Sequence, residues 1–188
     1  METLIYPRTL FHRNSLFFFK EGNNHYKLTF QLSNPNLNFE KLFDFPFIKL
    51  VYEINKDIYD HVQIDVIDNH TAIIFTILKQ MFEDAGLPQF YMYSTIHKHV
   101  HSANHISFEI VPIQERPFSQ LLSDEMEMTN ITYMIIQCKN TNQAATNANI
   151  EVELKINDKQ IIPSFIEQMI GLILYKIFKR VCDFIAKL

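Results

Sequence analysis

Four histidines stand close together in mid-chain: His97, His99 and His101 alternate along one stretch, and His105 follows a Ser102-Ala103-Asn104 break. Alternate residues of a strand point to one side with Cα atoms about 6.5 Å apart. Two imidazoles so placed can converge on one ion at ~2.0–2.1 Å. If the break is a hairpin turn, His101 faces His105, His99 faces Ser107 and His97 faces Glu109, all on one side of the pair. The row then has three readings. It is a solvated strand face, the polar lining of a cavity, or a site for zinc or another divalent metal, with Glu109 as a ligand or a support for one. Neighbouring imidazoles also gain charge together on acidification around ~6.5.

Other chemistry is thinly provided. Cys138 and Cys182 lie in apolar runs, far in sequence from any histidine, and no Gly-x-Ser-x-Gly turn occurs. Asp65, Asp68 and Asp84 fall at turns and strand faces, where acidic residues are common. Three glycines in 188 residues cannot build a P-loop or a dinucleotide fingerprint. A net charge of −4 and a sequence pI near 6.0 give no general attraction for nucleic acid. Catalysis is therefore not expected, and no cofactor is implied. The start, Met1 to Arg8, has no basic segment leading into an apolar one, and the two cysteines show no framework spacing. A reduced, cytoplasmic setting is the expectation.

The elements that must position these residues can be read from periodicity. Hydrophobic residues make up 47% of the chain, with 17 Phe and 8 Tyr, enough for a sizeable core. Residues 1–15 show no period and read as an irregular arm. Leu16–Lys20, a Gly22-Asn23-Asn24 turn and the alternating Tyr26, Leu28, Phe30 and Leu32 predict a hairpin. Spacings of three and four over Phe39–Phe43 and Phe47–Ile58 predict short helices. Strand texture returns at Val62–Val66 and Ala72–Phe82, with a turn at Glu83–Pro88. It resumes over Gln89–Val111, Ile131–Lys139 and Ile150–Ile156, while 113–129 reads as a loop or a short helix around Phe118–Leu122. From Pro163 to Leu188 one apolar stripe of period 3.6 predicts a helix about 40 Å long at ~1.5 Å per residue. The class is α+β: a mainly antiparallel sheet of about six strands packed on a long C-terminal α-helix.

This order of elements resembles the START-like, helix-grip superfamily (Bet v 1-like), whose curved sheet wraps around its last helix. The resemblance runs over 26–188: Tyr26–Leu32 as first strand, Phe39–Tyr59 as short helices, His61–Ile156 as the remaining strands and Ile162–Leu188 as gripping helix. Residues 1–25 would be an arm with one added strand. The resemblance implies a cavity between sheet and helix that binds a lipid or another apolar small molecule. Phe165, Met169, Ile173 and Ile177 would line it from the helix, with Tyr91 and Tyr93 as polar-tipped lining from the sheet.

The middle of the helix, Met169 to Tyr175, is apolar almost all round, so Leu172, Leu174 and Tyr175 need a second cover. The arm can supply it, or a protein partner or second copy, or a membrane surface met by Lys176, Lys179, Arg180 and Lys187. The alternative to ligand binding is therefore an assembly or interaction subunit with a filled core. A His-ligated metalloprotein is the third reading.

Overall fold

The computed structural model describes residues 7–80, 86–117 and 120–188. Strands β1 (Arg8–Arg13), β2 (Leu16–Gly22) and β3 (His25–Ser33) form a meander. Helices α1 (Phe39–Leu42) and α2 (Phe45–Ile54) follow, then a 3-10 turn at Lys56–Ile58. The chain continues as β4 (Tyr59–Val66), β5 (Thr71–Leu78), β6 (Phe90–Ser102), β7 (His105–Pro112), the two-residue β8 (Glu127–Met128), β9 (Ile131–Asn140) and β10 (Asn147–Ile156). Helix α3 (Ser164–Ile185) closes it. The ten strands form one open sheet of order β1-β2-β3-β10-β9-β7-β6-β5-β4, antiparallel throughout except that β8 pairs with β6 in parallel. The α+β class with a long C-terminal helix is the one expected.

Alternation drives the centre. Tyr26, Leu28, Phe30 and Leu32 of β3 are buried, as are Ile150, Val152, Leu154 and Ile156 of β10, and the register sets Val152 opposite Leu28 and Ile150 opposite Phe30. Strands from the two ends of the chain are thus neighbours, and α3 returns over the face that those residues present. Left-handed backbone at Asn14 (φ 50°), Ser15 (φ 61°) and Asn24 (φ 49°) turns the two N-terminal hairpins. Asparagine tolerates that region better than most residues. The Asn38 side chain accepts from the Lys41 amide at 3.3 Å, and Asp44 caps α2.

Two expectations need correction. The arm is not irregular: Arg8–Arg13 is an edge strand on β2. Its register shifts between Thr9 and Phe11, so Leu10 and Phe11 are adjacent apolar residues and the alternation that marks a strand is broken. Of the two readings of 113–129, the loop is the one found among its described residues, and what it lacked is the two-residue strand β8. Phe118, the end of the Ala72–Phe82 run and the Glu83–Ala85 part of the next turn lie outside the described residues.

Helix α3 is seated by its C-terminal half. Ile177, Phe178, Val181 and Ile185 are buried, and Phe178 packs on Phe30 with ring centroids 5.0 Å apart. Each such side chain contributes ~1.5–3 kcal/mol through burial. Three buried asparagines tie the segment to loops. Asn34 Nδ2 donates to the Ile185 carbonyl (2.6 Å), Asn55 Nδ2 to the Ile177 carbonyl (3.3 Å), and Asn24 Nδ2 to those of Asn157 and Gln160 (both 2.8 Å). At the N-terminal end, buried Glu167 accepts from the Tyr26 hydroxyl (2.8 Å) and pairs with Lys20 and, at 3.5 Å, with Arg8. No helix among the described residues is long and apolar enough to cross a membrane.

Candidate ligand-binding site

Register fixes which residues share the helix-side face of the sheet. Phe18 and Leu28 are opposite one another, and Phe18 lies against Gly171 of α3. Counting across the ladders from Leu28, the same face carries Val152, Ile136, Phe108 and Lys98. Two residues along each strand from there come Ile96 and Ile110, then Ser94, Ile74, Thr76 and Met92. Tyr59 joins them, because it pairs with Leu78, two residues beyond Thr76 on β5.

Helix α2 lies above this district. Phe45 packs at a tilt beside Phe108, with ring centroids 6.2 Å apart, and Lys98 pairs with the cap residue Asp44 at 2.9 Å. At the other end of α2, Tyr52 meets Tyr59 with centroids 5.1 Å apart. Burial pushes both phenols well above the ordinary tyrosine value, so they stay neutral. Yet each residue is only half-buried. Leu78, Met134, Ile170 and Ile173 are likewise only partly buried while packing on the core. Ser94 Oγ is buried and has no hydrogen-bond partner, and Thr76 is 1% exposed.

The predicted helix positions divide. Ile177 is buried, Ile173 packs on the core and Met169 is half-buried. Phe165 is 52% exposed, off the packed face. Tyr91 and Tyr93 are on the opposite face of the sheet, so a site between sheet and α3 does not include them. Their position has a local cause: with Phe75 and Ile77, Tyr91 forms a separate apolar cluster, packed by Tyr93, Leu122, Met126 and Met128 from the segment after β7. Of the second-cover residues, Tyr175 is claimed by the N-terminal hairpin. It packs edge-on to Phe11 at 5.8 Å, lies under the Arg13 guanidinium and accepts from Asn14 Nδ2 at 2.8 Å. Leu174 packs on the core, and only Leu172, 57% exposed, is left uncovered.

The histidine row also lies on the outer face. His97 is opposite Glu109 and His99 opposite Ser107, as the hairpin predicts, but a bulge sets Ser102 opposite His105. Ring centroids are 6.5 Å apart for His97–His99, 6.3 Å for His99–His101 and 4.3 Å for His101–His105. His99 Nε2 approaches Glu109 at 3.2 Å and His101 Nε2 approaches Ser107 Oγ at 2.8 Å. His99 and His101 thus turn to β7 side chains and His105 stacks on His101, and no three His, Cys, Asp or Glu side chains among the described residues converge to hold a metal ion. Burial, then the charges of His101 and Lys139, lowers the pKa of His105.

Sequence reasoning passed over Tyr52, Tyr59, Thr76, Ser94 and Glu167. Tyr52 and Tyr59 lie in or at the end of the stretch read as short helices but off its Phe47, Leu50, Val51, Ile54 and Ile58 stripe, and strand parity could have placed Thr76 with Ser94. Nothing in spacing marks a hydroxyl as unpartnered.

No protein-family model matches the chain, and no curated protein matches it in sequence. Solved structures do match in shape. A human lipid transfer and protein localization domain superposes with TM-score 0.66 at 13% identity, covering 92% of this chain and 84% of that one. Human StAR-related lipid transfer protein 5 gives 0.65 at 9%, covering 99% and 87%. A STAR-related lipid transfer protein from Xanthomonas axonopodis gives 0.65 at 6%, covering 95% and 98%. The fold is the helix-grip fold, as the order of elements implied.

Proposed function

We propose that the protein binds an apolar small molecule of the lipid class between the sheet, α2 and the N-terminal half of α3, and that its activity is binding rather than catalysis. The observation that carries this reading is the pair Tyr52 and Tyr59. Both phenols are enclosed deeply enough for desolvation to dominate their titration, yet both residues are only half-buried. Deep and open together is the pattern of side chains beside an internal space. Partly buried Leu78, Met134, Ile170 and Ile173 supply apolar walls of the kind small-molecule sites use. The likeness to domains described as lipid transfer proteins supports the same reading. Against catalysis, burial pushes the Cys182 thiol up to about 11 and the Cys138 thiol higher still, leaving neither a ready nucleophile.

Native mass spectrometry of the purified protein, followed by organic extraction, tests it. A monomer carrying an apolar molecule that extraction releases is the expected result. A ligand-free protein that takes up no lipid from mixed vesicles overturns the proposal and returns the filled-core assembly reading.

A further inference from the structure

The hydroxyls near α2 point to a more specific ligand. Tyr52, Tyr59, Thr76 and Ser94 come from four consecutive elements and meet on one face. Tyr59 pairs with Leu78, Thr76 with Met92, and Ser94 with Ile74, which places Thr76 and Ser94 on adjoining strands within a diagonal step. Tyr52 packs on Tyr59 from above. Ser94 Oγ is buried with no hydrogen-bond partner among the described residues, and the Tyr52 and Tyr59 phenols stay neutral beside it. A buried hydroxyl left unpaired loses its bonds to water and gets nothing in return, so a partner is expected.

Charge is absent from this group. The cations that reach the helix-side face among the described residues are engaged away from these hydroxyls: Lys98 with Asp44, Lys20 and Arg8 with Glu167, Arg180 and Lys176 with Asp57. A carboxylate or phosphate brought here would be desolvated with no cation in the group to meet it, which is far costlier than burying a hydroxyl.

We infer that Tyr52, Tyr59, Thr76 and Ser94 form a polar subsite for the single uncharged oxygen of a neutral lipid (a hydroxyl or carbonyl on an apolar body), and that this subsite rejects fatty acids and phospholipids. The inference rests on the binding reading above.

Binding of radiolabelled hexadecanol, palmitate, cholesterol and phosphatidylcholine to the full chain at neutral pH tests it. Hexadecanol and palmitate share one chain and differ at the head, palmitate being ionised. Hexadecanol, cholesterol or both should bind, and palmitate at least 10-fold more weakly than the better of the two; cholesterol alone binding would assign the apolar body to a fused-ring shape. Ser94→Ala and the double variant Tyr52→Phe with Tyr59→Phe should each weaken the neutral ligand by about 5- to 10-fold. Circular dichroism should show both variants folded. Palmitate or phosphatidylcholine binding as tightly as the neutral lipids, or variants that leave their affinity unchanged, would overturn the subsite and leave the binding reading standing. Uptake of none of the four would remove both.

Discussion

Gly171 is where one missing methyl group decides how close α3 can lie to the sheet. A Cβ there would meet Phe11 at 2.7 Å and Phe18 at 2.9 Å. Alanine favours a helix over glycine by about 1 kcal/mol, but overpacking against a fully buried ring costs about 1–3 kcal/mol. Phe18 is 0% exposed and stacks on Tyr26 at 5.8 Å, so it has nowhere to move. The clash should win. Gly171→Ala is expected to lower Tm by about 2–6 °C in a chain of this size, and an unchanged or raised melting temperature would show that α3 is not held so close. Among the described histidines, His105 is one whose titration is coupled to folding. Its pKa is depressed in the folded protein, so the native state disfavours the proton that the unfolded chain accepts near ~6.5. Stability from this group is therefore full above about 6.5 and falls as pH drops toward the lower folded value. Urea midpoints measured from pH 7.5 to 5 should decline less in His105→Gln than in the parent, and parallel curves would refute the coupling.

At the scale of elements, α3 is fastened differently at its two ends. Its C-terminal half is fixed by buried apolar side chains and by asparagine bonds to backbone carbonyls, whereas its first turn depends on Glu167 with Lys20, Tyr26 and Arg8. Removing one partner of a buried pair strands the other charge and costs about 3–5 kcal/mol, while replacing both by apolar groups is often neutral. Lys20 keeps 15% of its side chain exposed, which favours the low end of that range. Glu167→Ala should lower Tm by about 6–10 °C, and adding Lys20→Met should recover most of it. No recovery in the double variant would mean that Glu167 acts through something other than this pair. The sequence made α3 legible because an apolar stripe repeated over six turns is hard to mistake. It made β3 and β10 legible because one of their faces is buried and the other is not, and the β6–β7 hairpin legible by alternation about its turn, although Tyr91 and Ser107 are buried on its outer face. Strand β1 was illegible because its bulge sets two apolar residues side by side, and the Tyr91 cluster because the β7–β9 connection covers an outer face that parity alone takes for solvent. The site was harder still. Period put Ile173 and Ile177 on the packed side of α3, as the fold has them, but the choice of sheet face was open, and it fell on Tyr91 and Tyr93 while Met92 and Ser94 are the ones on the helix-side face.

For the molecule as a whole, the fold sets how a ligand could reach the interior. The sheet is continuous from β1 to β4, and α2 is tied to α3 through Asn55 and through the pairing of Asp57 with Arg180 and Lys176. That leaves the N-terminal half of α3 as the weakest cover: Ile170 and Ile173 are half-buried there, whereas Ile177, Phe178, Val181 and Ile185 further along are buried. Segments with less buried apolar surface open at lower free energy than the global unfolding. Amide exchange should therefore be faster over 166–174 than over 177–185 in the ligand-free protein. A lipid seated beneath the helix binds the folded state alone, and at 100 times its Kd it adds about 2.7 kcal/mol of stability. Tm should rise by about 5–10 °C, and exchange should slow most over 166–174. Uniform protection along α3 without ligand, or slowing confined to the outer face around Tyr91, would place the entry elsewhere in the fold.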